Sequence, residues 1–167
     1  MLGIDPGTIR TGWGVVERRG SVVRGVMAGV IKTNEREELA FRLNTIFEGL
    51  RVVIASHAPT EVAVEDVFYA RHAQSALKLG HARGVALLAA AQAGLSVAAY
   101  PPALVKRVIG GGGRADKTQI ARMVGAILGW RELPSTDATD ALAVAITHAN
   151  AMTAARSIAR GVPPRSP

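Results

Sequence analysis

The sequence predicts an α/β domain in which a mixed sheet, made of hairpin strands and parallel strands, is flanked by helices. Three strand-like segments open the chain, and helix-like and strand-like segments then alternate along the remainder. A length of 167 residues, 49% of them hydrophobic, suits a single domain with an ordinary core. We therefore expect one folded domain over residues 1–150 and a basic, disordered tail over residues 151–167.

The first 33 residues predict a strand followed by a two-stranded hairpin. Residues 2–4 form a short apolar run that stops at Asp5-Pro6-Gly7, as a strand does when it meets a turn. Residues 11–17 and 21–33 are rich in valine and glycine and are separated by Arg19-Gly20, which suits a tight turn. Three consecutive strands are therefore expected in this part of the chain.

The next segment predicts a helix and then a buried strand. The acid-rich residues 35–38 predict the first turn of the helix, because negative side chains favour a helix N-terminus. Apolar residues recur at helical spacing over 39–50, and Pro59 ends the segment. Residues 61–66 then predict a strand with its two valines on one face.

The second half of the chain predicts helices with one strand among them. An alanine- and leucine-rich stretch predicts a long helix, and capping residues mark two later ones. In order, the expected elements are a helix over 73–93, a strand over 95–100, a short helix over 103–108, a helix capped by Asp116 and ending near 128, and a helix capped by Thr136 and ending near 151. Strands that follow helices pair in parallel, so the sheet is expected to be mixed.

The composition favours a polyanionic partner and excludes several classes of protein. The chain carries 20 Lys and Arg against 13 Asp and Glu, a net charge of +7, and it has no cysteine for a disulfide or a thiolate metal site. No apolar run is long enough to span a membrane and the first residues do not match a signal peptide, so a cytoplasmic protein is expected. The basic excess lies between Val67 and Arg122, where eight basic residues stand against one acid, and this favours nucleic acid as the partner.

Four acids stand where ligands gather in sheets of this kind. Asp5 and Glu65 end the first and fourth strands, and ligands bind at the carboxyl ends of parallel strands. Asp137 and Asp140 are three residues apart at the start of a helix, so both project from one face. Taken singly, Asp5 is explained as a turn residue and Asp137 as a helix-terminal charge, but Glu65 in an apolar strand needs a compensating charge. Together they suit Mg²⁺ or Mn²⁺, and two such ions about 3.5–4 Å apart promote phosphoryl displacement.

Four motifs carry a resemblance to a known family. They are Gly3-Ile4-Asp5-Pro6-Gly7-Thr8, Glu65-Asp66-Val67-Phe68, Leu77-Lys78-Leu79-Gly80-His81-Ala82-Arg83-Gly84, and Asp137-Ala138-Thr139-Asp140-Ala141-Leu142-Ala143-Val144-Ala145. In this order and spacing they resemble the bacterial RuvC crossover junction endodeoxyribonucleases, which resolve Holliday junctions, and the similarity runs from residue 2 to about residue 149. The resemblance implies a ribonuclease H-like fold, a homodimer, a partnership with the RuvA–RuvB branch-migration machinery, and a metal site formed by Asp5, Glu65, Asp137 and Asp140.

The predicted function is a Mg²⁺-dependent, structure-selective endonuclease that resolves Holliday junctions by symmetric paired nicks during homologous recombination and DNA repair. Two Mg²⁺ ions per active site, for which Mn²⁺ can substitute, would be held by the four acids, and hydrolysis would leave a 5′-phosphate and a 3′-hydroxyl. Three alternatives stay open: an RNA-processing nuclease of the same fold, a junction-binding module without catalysis, and a kinase-like ATPase. The last needs two such domains, and this chain is long enough for one.

Basic and aromatic side chains around these acids are expected to bind DNA. Lys106 and Lys117 match basic positions that the family places near the scissile strand, and Phe68 matches a position that stacks on an unpaired base. The glycine run at 110–113 does not make a phosphate-binding P-loop, because Asp116 stands where that motif needs glycine. The expected DNA-binding set is Phe68, Tyr69, Arg71, Lys78, Arg83, Lys106, Arg107, Arg114 and Lys117.

Two remaining features have ordinary interpretations. The four histidines show no metal-ligand spacing and are expected to be structural or exposed. Gly80 and Gly84 lie four residues apart in the predicted 73–93 helix, which allows close packing on the sheet or against a second copy of the chain.

Overall fold

The computed structural model describes residues 1–66, 73–111 and 115–159, which form a mixed five-stranded sheet with helices on both faces. The predicted α/β class is confirmed. The strands are β1 (Leu2–Asp5), β2 (Arg10–Arg19), β3 (Val22–Lys32), β4 (Glu61–Glu65) and β5 (Ser96–Tyr100). The helices are α1 (Leu39–His57), α2 (Ala73–Gln92), α3 (Pro102–Gly110), α4 (Lys117–Leu128) and α5 (Thr136–Ala159).

The strand order is β3-β2-β1-β4-β5, with the predicted hairpin on one side and parallel strands on the other. Strand β2 pairs antiparallel with both β1 and β3, whereas β4 pairs in parallel with β1 and β5. Because β1, β4 and β5 run in the same direction, their last residues, Asp5, Glu65 and Tyr100, reach one edge of the sheet. We call this the carboxyl edge.

The two faces of the sheet bury separate cores, as the alternation of β4 shows. Val62 and Val64 point into a core with α1 and α2, and Ala63 points to the opposite face, where α5 lies. Every residue of α5 from Ala141 to Ala149 is buried, because the sheet covers the helix on one side and α3 and α4 pack on it as well. A helix that is apolar on all sides is expected in such a central position.

Three glycines allow α5 to lie directly against the backbones of β1 and β2. A Cβ atom at Gly3 would overlap the carbonyl oxygen of Ala141, and one at Gly12 would overlap the carbonyl oxygen of Asp137. At Gly14 it would stand 2.7 Å from the side chain of Leu142. The first three turns of α5 are therefore seated on the sheet through positions that have no side chain.

The first helix begins later than the sequence predicts. The acids at 35–38 precede the helix instead of forming its first turn, and α1 starts at Leu39. Asn34 explains the difference, since its backbone carbonyl accepts a hydrogen bond from the amide of Glu37 and its side chain accepts one from the amide of Arg36. This local turn competes with helix formation, as asparagine side chains often do.

The last helix is longer than predicted and extends into the expected tail. Helix α5 ends at Ala159 and not near residue 151, so the part of the 151–167 segment that the structure describes is helical. Residues 160–167 lie outside the described ranges. Within those ranges, no helix has the length and apolar character that a membrane crossing requires.

Substituting Gly3 by alanine is expected to destabilise the fold by about 2 to 3 kcal/mol, because the added methyl group must displace the backbone of α5. Urea unfolding monitored by circular dichroism measures the loss. Asn44→Ala is the control, because Asn44 is exposed on α1 and alanine favours the helix. Equal unfolding midpoints for Gly3→Ala and the wild type would contradict the packing described here.

Candidate active site

The four predicted acids come from three elements that meet at the carboxyl edge. Asp5 ends β1 and Glu65 ends β4, and these strands are hydrogen-bonded neighbours in which Ile4 pairs with Val64. Asp137 and Asp140 lie in the first two turns of α5, one helical turn apart. Because α5 is seated on β1 and β2 at Gly3 and Gly12, its first turns bring both aspartates towards Asp5.

Asp5 and Glu65 form the buried half of this cluster. Burial, followed by the negative charges of Glu65, Asp140 and Asp137, raises the pKa of Asp5 to about 8. Burial and the charge of Asp140 also raise the pKa of Glu65, while a hydrogen bond from Asp5 and the charges of Lys117 and Lys106 oppose that rise. Without a metal ion, the Asp5 carboxyl therefore keeps its proton near neutral pH and donates a hydrogen bond to the Glu65 carboxylate.

Asp137 and Asp140 form the more exposed half, and each is paired with a basic side chain. The Nε atom of Arg10 donates to Oδ2 of Asp137 at 2.6 Å. The Nζ atom of Lys117 lies 3.4 Å from Oδ2 of Asp140. Both aspartates are about one-third exposed, at 32% and 30%, so the two cations lie on the solvent side of the cluster.

The donor set fits divalent metal ions, although the side chains are not already gathered around one. Burial and neighbouring carboxylates raise the pKa of Asp5 and of Glu65, so the ionised cluster needs positive charge, and carboxylate oxygens are the ligands that Mg²⁺ prefers. Among the described residues, no three His, Asp or Glu side chains are arranged as a ready-made metal cage. The ion pairs of Asp137 and Asp140 help to explain why the acids are not gathered around a common point, because they direct both carboxylates to protein cations.

The loop that follows Asp5 is held in place by hydrogen bonds. The Thr11 hydroxyl donates to the carbonyl of Gly7 at 2.8 Å. The carbonyl of Thr8 accepts from the Arg42 guanidinium at 2.8 and 3.1 Å, and from the Thr33 hydroxyl at 2.7 Å. Thr8 and Thr11 are both buried, so the connection between β1 and β2 is rigid and fixes the end of β1.

The residue after Glu65 is anchored from two directions. The backbone amide of Asp66 donates to the carbonyl of Tyr100 at 2.8 Å, and its carboxylate pairs with Nη2 of Arg83 at 3.1 Å. The Nε atom of Arg83 is buried without a hydrogen-bond partner among the described residues. Arg83 was predicted to bind DNA, and in the structure it is mostly buried and holds Asp66 at the end of β4.

The other predicted DNA-binding residues divide into an exposed set and a set outside the described ranges. Lys78 is exposed on α2, Lys106 and Arg107 are exposed on α3, and Lys117 is exposed at the start of α4. Lys117 lies 3.4 Å from Asp140, and the charges of Lys117 and Lys106 both act to lower the pKa of Glu65. Phe68, Tyr69, Arg71 and Arg114 lie outside the residues that the structure describes.

His148 was expected to be structural or exposed, and it is buried in a polar chain on the α5 side of the sheet. Its Nδ1 atom lies 2.8 Å from the Tyr100 hydroxyl and its Nε2 atom lies 3.0 Å from Oε2 of Glu61. This chain links Tyr100, the last residue of β5, through His148 to Glu61, the first residue of β4.

Three contributors to the site were not predicted from the sequence: Arg10, Arg42 and Asp66. The position of Arg10 near the acids could have been predicted, because a short turn after Asp5 followed by an antiparallel strand returns the chain to the same edge of the sheet. The contacts of Arg42 with the Thr8 carbonyl and of Asp66 with Arg83 carry no such signal, since they depend on how the helices dock.

A cavity of about 650 Å³ lies away from these acids, at the other end of the sheet. Its lining includes Glu17, Arg18, His57 and Glu61, and none of the four predicted acids. The acid cluster is instead an open edge bordered by basic helices. An open edge suits a large polyanion better than a small enclosed ligand.

Comparison with known proteins gives consistent matches. The family model described as "Crossover junction endodeoxyribonuclease RuvC" matches residues 1–148. The protein of that name from Caulobacter sp. (strain K31) is 52% identical over 159 residues, which cover 95% of this chain and 94% of the relative. The one from Halorhodospira halophila is 53% identical over 150 residues, covering 90% and 89%. A structure of T. thermophilus RuvC in complex with a Holliday junction substrate matches with a TM-score of 0.84 and 41% identity, covering 89% and 91%, and this confirms the ribonuclease H-like fold.

Substituting Asp5 by asparagine is expected to stabilise the metal-free protein at pH 8 but hardly at pH 4.5. The raised pKa means that the folded protein keeps a proton that the unfolded chain loses, so wild-type stability falls as the pH rises from about 4 to about 8. Asparagine has no such proton to lose, so the gain in the free energy of unfolding from Asp5→Asn is expected to be about 2 to 4 kcal/mol larger at pH 8 than at pH 4.5. Urea unfolding in the presence of a chelator measures the difference.

Glu48→Gln serves as the control, because Glu48 lies on α1 in an exposed pair with Arg51. Its effect on stability is expected to be small at both pH values. A stability difference between Asp5→Asn and the wild type that does not change with pH would contradict the buried, protonated state of Asp5.

Proposed function

Because the chain belongs to the RuvC family of crossover junction endodeoxyribonucleases, we propose that it is a nuclease that resolves Holliday junctions. The observation that carries the proposal is the cluster of Asp5, Glu65, Asp137 and Asp140 at the carboxyl edge, where burial and the neighbouring acids raise the pKa of Asp5 and of Glu65. Basic helices border this cluster. Such a site combines positive charge for binding a DNA backbone with acids for metal-dependent hydrolysis.

The four acids would hold two Mg²⁺ ions, with Asp5 shared between them, Glu65 on one ion, and Asp137 and Asp140 on the other. When bound, the ions would supply an activated water and neutralise charge on the phosphodiester that is cut, and Mn²⁺ would serve in their place. The rigid loop after Asp5 and the anchored Asp66 keep the two buried carboxylates in position during the reaction. The expected products carry a 5′-phosphate and a 3′-hydroxyl.

Lys106 and Lys117 are the two basic residues that we propose act on the reacting phosphate. Both oppose the rise in the pKa of Glu65, and Lys117 also reaches Asp140. An ammonium group in this position stabilises the negative charge that develops on the phosphoryl oxygens in the transition state. We assign these two lysines that role.

The proposed DNA surface includes these lysines and the exposed basic residues Lys78 and Arg107. Arg71 and Arg114, which lie outside the described residues, are assigned to DNA binding as well. All would contact backbone phosphates, which position the duplex arms without reading sequence. Phe68 and Tyr69 are assigned to stacking on bases at the crossover. Arg83 contributes to this surface by holding Asp66, and direct contact with DNA requires it to leave that carboxylate.

The open face of α2 supports a homodimer. Leu77 and Leu88 are 65% and 51% exposed, and a Cβ atom added between them at Gly80 or Gly84 would meet no other part of the described structure within 4 Å. These four residues form one exposed stripe along the helix, while the buried alanines of α2 face the sheet. A second copy packed on this stripe explains two symmetric nicks, because a two-fold axis relates the two active sites.

Membership of the family also supports the cellular role proposed for the chain. A junction-resolving nuclease acts in homologous recombination and DNA repair, and in this family it works with the RuvA–RuvB branch-migration complex. We assign the chain to the cytoplasm, where bacterial DNA is processed.

Asp5→Asn is expected to bind four-way junctions with near wild-type affinity and to lose at least 100-fold in cleavage rate, because it removes the carboxylate shared by both metal ions. The assay incubates mobile four-way junctions with Mg²⁺ and maps the nicks on each strand, while a gel-shift assay without Mg²⁺ measures binding. Glu48→Gln is the control for a lost surface carboxylate.

Paired, symmetric nicks by the wild type support a resolvase, and unpaired nicks throughout duplex DNA contradict it. Wild-type cleavage by Asp5→Asn would overturn the assignment of the metal site. Junction binding by the wild type without any cleavage in Mg²⁺ or Mn²⁺ would instead indicate a binding module.

Leu77→Glu combined with Leu88→Glu is expected to convert the protein from a dimer to a monomer, because two charges would be buried at the proposed interface. Light scattering coupled to size-exclusion chromatography measures the mass. Phe41→Glu is the matched control, since Phe41 is 64% exposed on α1 and lies outside this stripe. An unchanged mass in the double variant would contradict the proposed interface.

A further inference from the structure

Arg10 occupies a position that the proposed metal site does not explain. It is the first residue of β2 and lies at the carboxyl edge, and its Nε atom donates to Oδ2 of Asp137 at 2.6 Å. Its side chain is 44% exposed, so the guanidinium lies at the mouth of the site. The other basic residues proposed to face DNA come from α2, α3 and α4 or the segments next to them, and Arg10 reaches the acids from β2 instead.

The pair of Arg10 with Asp137 conflicts with metal binding by the same carboxylate. A divalent ion on Asp137 would stand within a few ångströms of the guanidinium, and two positive charges so close repel each other strongly in a partly buried site. The Asp137 oxygen also cannot give its full charge to an arginine and to a metal ion at once. Metal binding at Asp137 therefore favours release of Arg10.

A released Arg10 has an obvious partner in the proposed substrate. Its guanidinium is exposed at the edge where the phosphodiester lies, and the planar fork of arginine matches two phosphate oxygens. The loop before it is rigid, since Thr11 holds the carbonyl of Gly7. Only the side chain has to move, because the β2 backbone is paired with β3 at Arg10.

We propose that Arg10 is a tethered counter-ion that holds Asp137 in the metal-free site, yields it to a divalent ion, and then binds a backbone phosphate of the DNA. The inference rests on the proposed two-metal nuclease site. This role of Arg10 couples the binding of the metal ion to the binding of DNA. DNA that binds Arg10 removes a competitor of the metal ion for Asp137, and by linkage a bound metal ion strengthens the contact between Arg10 and DNA.

The test compares Arg10→Gln with the wild type in two equilibrium measurements that do not depend on cleavage. The first is Mn²⁺ binding without DNA, followed by electron paramagnetic resonance. Removal of the competing cation is expected to tighten Mn²⁺ binding by about three- to tenfold. If the salt bridge were purely structural, Arg10→Gln would weaken Mn²⁺ binding instead, because loss of Arg10 would leave Asp137 less well positioned.

The second measurement is the salt dependence of junction binding with Mn²⁺ present, in the Glu65→Gln background, which keeps Asp5, Asp137 and Asp140 and is expected to leave the junction uncut. Loss of one phosphate contact is expected to reduce the slope of log K against log salt by about 0.9. Arg10→Lys is expected to restore both the slope and the Mn²⁺ affinity to within about twofold of the wild type, since it keeps the charge.

Arg51→Gln is the matched control, because Arg51 also pairs with a carboxylate but lies on α1 in a surface pair with Glu48. It is expected to change neither measurement, and melting temperatures verify that each variant is folded. The proposed movement of Arg10 from Asp137 to a DNA phosphate is overturned if Arg10→Gln leaves either the Mn²⁺ affinity or the salt slope unchanged while the wild type binds Mn²⁺. The nuclease assignment would then still stand. If the wild type binds no Mn²⁺, the proposed metal site fails and the proposed movement fails with it.

Discussion

Gly3, Gly12 and Gly14 let α5 lie directly against the backbones of β1 and β2, and the site depends on that contact. The helix carries two of the four acids. Strand β1 ends at Asp5, and its neighbour β4 ends at Glu65. A side chain at any of these glycines would lift the first turns of α5 away from the sheet and move Asp137 and Asp140 away from Asp5. Residues 141–149 of α5 are buried between the sheet, α3 and α4, which makes the contact rigid, so the spacing of the acids is set by the core and not by a loop.

The charge distribution follows from this arrangement. Packing brings four carboxylates together, and the protein offsets their repulsion in two ways. In the buried half, a proton is retained by Asp5 and shared with Glu65; in the exposed half, Arg10 and Lys117 neutralise Asp137 and Asp140. In the proposed metal site, a divalent ion would replace the proton on Asp5 and the cations that pair with Asp137 and Asp140. The net charge of +7 therefore understates the positive surface offered to DNA, because these four acids count against it although they lie in the site.

Local sequence patterns predicted most of the elements. The hairpin of β2 and β3 was predicted from its turn and valine-rich strands, and the start of α4 from the capping side chain of Asp116, which accepts from the amide of Gln119. Prediction failed where a local signal was ambiguous or absent. The acids at 35–38 suit a helix N-terminus, but Asn34 closes a turn first. No residue marks the end of α5 near 151, and the helix continues to Ala159.

The sequence by itself determined which acids meet and which edge of the sheet they share, because strand ends and helix starts follow from local patterns and the motifs recur throughout a family. Only the tertiary structure decided what each carboxylate contacts. Arg10 meets Asp137 across 127 positions of the chain, and Asp66 meets Arg83 only because α2 docks beside β4. Such pairs have no periodic signature in the sequence, since they arise when separate elements are packed together. Burial also raises the pKa of Asp5, and burial is a property of the packed molecule and of no single segment.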